Sequence, residues 1–108
     1  MSNVYSHRFL LAAAGSQASY VVPDGYTAVV RCITAMNRDA SNVQSAGVRF
    51  GTPALWIWAD SLPADPGGST TPSVVVDLRV VVNPGETIQT ANGTLVDMTV
   101  SGYLLSLP

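Results

Sequence analysis

The chain has 108 residues, of which 47% are hydrophobic and only 11% charged, against about 25% charged residues in a typical soluble domain. It contains no lysine, and its five arginines, six aspartates and one glutamate leave a net charge of −2. That arithmetic gives a single domain over residues 1–108 with one core, and it argues against a phosphate-binding basic face, disorder and a membrane span of ~20 apolar residues.

Short β-branched runs punctuated by Pro, Gly, Asn and Asp predict an all-β chain of seven to eight strands, an antiparallel β-sandwich of jelly-roll or Ig-like type. The first strand is expected over Tyr5 to Ala13. Its Phe9-Leu10-Leu11-Ala12-Ala13-Ala14 stretch is short for the ~7–15 apolar residues of a secretory signal. After a turn at Gly15-Ser16-Gln17, a second strand runs from Ser19 to Val22. Pro23-Asp24-Gly25 is a tight-turn signal, because Pro presets φ and Gly accepts a positive φ. Thr27 to Met36 reads as a long strand, but neither alternating face is cleanly polar. Its inward side is therefore open.

Asn37 to Ser41 reads as a polar turn, and Val43 to Phe50 as a weaker strand. Gly51-Thr52-Pro53 precedes Leu55-Trp56-Ile57-Trp58, and Asp60 to Pro72 is expected to be a long irregular loop. Ser73 to Val82 is the clearest strand. Val74, Val76, Leu78, Val80 and Val82 form one apolar face, with Asp77 and Arg79 on the other. Asn83-Pro84-Gly85-Glu86 predicts a tight turn into Thr87 to Ala91. Asn92-Gly93 predicts a type I′ hairpin turn, which is also the bland reading of the Asn92-Gly93-Thr94 glycosylation triplet. Val96, Met98, Val100 and Leu104 then alternate with Asp97, Thr99, Ser101 and Tyr103.

Chemistry-bearing residues are sparse. His7 and Cys32 are the only imidazole and thiol, so they form the only conceivable base–nucleophile pair. A core role for Cys32 fits better. One cysteine permits no intrachain disulfide and suits a reducing compartment. One histidine and one cysteine leave no zinc-type ligand set. Asp60 and Asp65 share a predicted loop without the alternating ligands of a calcium site, so turn capping is the simpler role. The expectation is no enzyme, no metal and no cofactor. Arg8, Arg31, Arg38, Arg49 and Arg79 are scattered, as solvated or paired residues are.

Trp56 and Trp58 lie two apart, so a regular strand puts them on one face. They could fill the core, form a subunit interface, or stack on a sugar ring. Tyr26 and Tyr103 are the further candidates for interface or glycan stacking.

The order of landmarks carries a resemblance. Val22-Pro23-Asp24-Gly25-Tyr26 leads into Val29-Val30-Arg31-Cys32-Ile33-Thr34-Ala35-Met36-Asn37. Val80-Val81-Val82-Asn83-Pro84-Gly85-Glu86-Thr87-Ile88 follows, and the chain ends in Val100-Ser101-Gly102-Tyr103-Leu104. From about Tyr20 to Leu105 this layout resembles small virion proteins of tailed bacteriophages, minor tail or tail-tip proteins. Cys32 departs from it, since such sequences often have a polar residue there. The resemblance implies a β-sandwich assembled in the host cytoplasm into the virion as a homo-oligomer, a trimer or ring, against other tail or capsid proteins. A capsid decoration protein and a module binding a host surface glycan are the alternatives. Low charge and absent lysine agree with surfaces covered by subunits.

Overall fold

The computed structural model describes residues 6–51, 55–64 and 73–106. Its strands are β1 (Ser6–Ala14), β2 (Ser19–Val21), β3 (Tyr26–Asn37), β4 (Gln44–Phe50), β5 (Leu55–Leu62), β6 (Ser73–Val82), β7 (Thr87–Asn92) and β8 (Val96–Ser106). They make two four-stranded sheets, a first in the order β1-β8-β3-β6 and a second in the order β2-β7-β4-β5. All pairs are antiparallel, and β1 pairs with β8, β2 with β7, β3 with β6 and β4 with β5. The chain is thus one long hairpin ribbon, folded over and sealed laterally by β3–β8 and β4–β7. This is the double-sheet jelly roll. An Ig-like sandwich of the constant type, with four strands on three, is not what forms.

The core lies between the sheets. Ile33, Val48, Val82, Ile88, Val96 and Val100 are fully buried in it, and each such aliphatic side chain contributes about 1.5–3 kcal/mol of burial. On β8 the expected alternation holds, with Val96, Met98, Val100 and Leu104 buried. β6 also alternates as expected, its even-numbered valines turned towards the core cluster.

β3 shows why its inward face could not be read from alternation. The register with β8 runs Val30 to Gly102 and then Cys32 to Ser101, leaving Arg31 as an extra residue. This β-bulge inverts the phase of the strand. Ala28 and Val30 face the core before it, and Ile33 and Ala35 face the core after it. Cys32 therefore lands on the outer side, half-buried and outside the core cluster, which corrects the core role expected for it. Gly102 makes the bulge possible. A Cβ there would collide with the Val29 carbonyl oxygen and the Phe9 ring. The Val-Ser-Gly-Tyr landmark therefore has a steric origin.

The two turn landmarks meet in space. Tyr26 N–H donates to the Pro23 carbonyl and Glu86 N–H to the Asn83 carbonyl, each at 3.2 Å. Gly25 and Gly85 sit at φ of 84° and 83°, the third position of type II turns. The turns are joined, since Val22 N–H donates to Glu86 O at 3.0 Å and Gly85 N–H to Val22 O at 2.9 Å.

Two expectations about the connections fail. Asn92-Gly93 is not a type I′ hairpin, because β7 and β8 belong to different sheets. Gly93 takes no positive φ, and the bend instead closes with Val96 N–H donating to Gly93 O at 3.2 Å. The loop expected from Asp60 begins later, because β5 continues through Leu62, whose side chain is buried in the core. Period-2 reading missed this extension because β5 is irregular in its middle. Residues 65–72, most of the expected loop, lie outside the described residues, as do Tyr5, Thr52 and Pro53.

Candidate functional site

The tryptophans do not share a face. Val48 of β4 pairs with Trp58, but the next residue, Arg49, pairs with Trp56, so Ile57 is an extra residue in β5. The bulge inverts the strand between them. Trp58 lies beside Val48 and packs half-buried on the core. Trp56 turns outward with 55% of its surface exposed.

Trp56 is nonetheless held on the sheet. Its ring lies over Gly47, where an added Cβ would come within 2.7 Å of the indole. The Arg49 guanidinium stands over the ring, 5.5 Å from its centroid, a cation–π distance. Arg49 Nε also donates to Gln89 Oε1 at 3.1 Å. Gly47, Arg49, Trp56 and Gln89 thus form one fixed group on the outer face of the second sheet. Sequence reading offered no signal for Gly47 and Arg49, because both depend on β4–β5 register.

Tyr26 and Tyr103 are elsewhere. Tyr26, at the start of β3, packs against the core and meets His7 edge-to-face at 5.9 Å. Tyr103 lies half-buried on the outer face of the first sheet, between Arg8 of β1 and Val29 of β3. The four aromatic candidates therefore do not converge on one platform. His7 and Cys32 do not converge either. His7 pairs with Leu104, whereas Cys32 pairs with Ser101, three residues along β8 and on the opposite face.

The outer face of the first sheet carries exposed apolar side chains among its charged and hydroxyl ones. Leu10 and Val75 are each 66% exposed and Val81 is 53% exposed. Between them, Thr34 and Thr99 hydrogen-bond to each other across β3 and β8. A shallow open depression of about 240 Å³ beside this pair is lined by Met36, Val75 and Asp97 among others. Arg38 Nε contacts Asp97 Oδ2 at 2.8 Å, a half-exposed pair of the kind worth ~0–1 kcal/mol.

The polar turn at Asn37 is more than a turn. Asn37 is fully buried. Its amide nitrogen donates to the carbonyls of Asn42, Leu62 and Pro63 at 3.1, 3.2 and 2.9 Å. Its oxygen accepts from Asp39 N–H at 2.9 Å. Asp39 in turn accepts from the N–H groups of Ser41 and Asn42 and the side chains of Asn42 and Gln44. These bonds, the Ser41 N–H first and the Gln44 amide next, hold the Asp39 carboxyl below its ordinary pKa. The pair clips the end of β5 to the end of β3. Asp60 Oδ1 accepts from Ser61 N–H at 2.8 Å, Asp65 lies outside the described residues, and among those described no three His, Cys, Asp or Glu side chains gather as a metal site.

No family model and no curated protein matches the chain. Solved structures do, among them two phage proteins. Each is a pentameric capsid protein isolated from metagenomic phage sequences, determined as a crystal structure. One is 15% identical with a TM-score of 0.53, over 94% of this chain and 63% of that one. The other is 17% identical with a TM-score of 0.51, over 94% of this chain and 61% of that one. The chain spans about three fifths of the length of these proteins. At such identity the likeness is one of fold, and the chain shares their β-sandwich.

Proposed function

We propose that this chain is a non-enzymatic structural subunit of a bacteriophage particle, assembled as a homo-oligomer in its outer shell. The observation that carries this reading is the apolar outer surface of a jelly roll: Leu10, Val75 and Val81 on the first sheet, Val21 and Trp56 on the second. Exposed apolar side chains of this kind are what a subunit interface buries. The two similar folds belong to pentameric phage capsid proteins, which supports a head position and a five-fold ring. Trp56, fixed by Gly47 and Arg49, is the interface anchor we assign on the second sheet, and Tyr103 the one on the first.

A tail or tail-tip subunit is the second reading, favoured by the order of the Val-Pro-Asp-Gly, Asn-Pro-Gly-Glu and Val-Ser-Gly-Tyr landmarks. Gold-labelled antibody on intact particles separates the two. Label on the head supports the first reading, label on the tail replaces it with the second, and particles without label overturn both. Glycan-array binding that is lost in Trp56→Ala would instead favour a host-glycan module.

A further inference from the structure

Among the described residues β6 has β3 as its only hydrogen-bonded neighbour, so its other edge presents unpaired backbone groups. Natural sheet edges are blunted by charged side chains, lysine above all, and by proline, bulges or short length. β6 is ten residues long, and it contains neither lysine nor proline. Its ladder with β3 is irregular at Leu78 and Arg79, which together stand opposite Arg31. Exposure along β6 alternates unbroken from Val74 to Val82. The other edges differ. β5 is bulged at Ile57, β2 has three residues, and β1 has the single charge Arg8 with no complement.

The outward side chains of β6 are Val75, Asp77, Arg79 and Val81, and the inward ones are Val74, Val76, Leu78, Val80 and Val82. The series is symmetric about Leu78 in shape and antisymmetric in charge. We propose that β6 pairs antiparallel with β6 of a second copy about a two-fold axis through Leu78. In that register Asp77 lies opposite the partner's Arg79, and Arg79 opposite the partner's Asp77. Val75 lies opposite the partner's Val81. The two first sheets become one continuous sheet, and each exposed valine gains a cross-strand valine neighbour.

Charge selects this register. Moving the axis to Asp77 sets two carboxylates opposite each other, and moving it to Arg79 sets two guanidiniums opposite each other. Like charges directly opposite are destabilising, and opposite charges are favourable. An axis through Val76 or Val80 leaves Asp77 and Arg79 facing uncharged residues. Registers half a period away turn the inward valines to solvent. Backbone hydrogen bonds and valine contacts supply the affinity of such an edge, and the ion pairs fix its alignment. The contact is isologous and does not depend on a phage role for the chain.

Sedimentation velocity of the full chain tests this. The wild type is expected to contain two-fold pairs. Asp77→Arg and Arg79→Asp each place like charges together and should halve the sedimenting mass. The combined Asp77→Arg, Arg79→Asp variant rebuilds both ion pairs in reversed order and should restore the mass. Far-ultraviolet circular dichroism should be unchanged in all three, since both positions are exposed. A wild type that is monomeric, single variants that keep the wild-type mass, or a double variant that stays dissociated would each overturn the proposal. Failure here leaves the particle-labelling outcome untouched, so the two readings fall separately.

Discussion

β5 and β6 end their two sheets, yet they solve the edge problem differently. β5 carries an extra residue at Ile57 that breaks its ladder with β4 and sends neighbouring tryptophans to opposite faces. Bulges of this kind disrupt the regular edge that another strand would need. β6 also carries one residue more than its neighbour, opposite Arg31, yet its exposure alternates unbroken from Val74 to Val82, with valines flanking a compensating Asp–Arg pair on its outer side. The contrast teaches that exposed apolar surface here is of two kinds. On the second sheet its largest member is an indole held by Gly47 and Arg49, and on the first it includes two valines that flank an Asp–Arg pair along one strand.

The largest expected effect comes from disturbing the close approach of β8 to β3 at the Arg31 bulge. Gly102→Ala forces a methyl into the Val29 carbonyl and the Phe9 ring, and overpacking against backbone should cost about 3 kcal/mol or more. Thermal unfolding should show a midpoint lowered by ~10–20 °C. On the other side of the comparison, Trp58→Ala removes a half-buried ring from the core and should cost about 2–4 kcal/mol in urea unfolding. Trp56→Ala, on the far side of the bulge, should cost less than about 1 kcal/mol while weakening assembly. Equal costs for the two tryptophans would remove the bulge from the account.

Asn37→Ala should rank beside Trp58→Ala, at about 2–3 kcal/mol, because it strips partners from buried carbonyls at the end of β5. Amide exchange should then quicken around Leu62 and leave β6 protected. The smallest effect is tied to pH. Bonded Asp39 titrates below its ordinary value, so its contribution is complete above the unfolded carboxylate pKa of about 3.9. That contribution is lost as pH falls through the lower folded value. Asp39→Asn should therefore be less stable than wild type near neutrality, with the difference shrinking in acid.

Much of the fold was legible, and the reasons are local. The β6 face of five apolar residues, the β8 alternation and the two Pro- and Gly-containing turns all follow from period-2 patterning and turn chemistry. The candidate site was less so. Trp56 and Trp58 are two apart in sequence, and only the pairing with β4 shows that Ile57 is skipped. Asn37 and Asp39 read as members of a polar turn. Their burial depends on carbonyls from Leu62 and Pro63, some twenty-five residues away. Asn92-Gly93 failed similarly, because its chain crosses between sheets.

By itself the sequence determined an all-β domain, the inward faces of β6 and β8, and a surface poor in charge. Those are properties of alternation and composition, fixed within a few neighbouring residues. Strand order, the phase inversions at Arg31 and Ile57, and the identity of the free edges belong to the tertiary structure alone. A bulge exists only as a mismatch between two strands. The low charge met at the outset is thereby given addresses: a pinned tryptophan on one face, and on the other a valine-lined edge whose single Asp–Arg pair matches a second copy of itself.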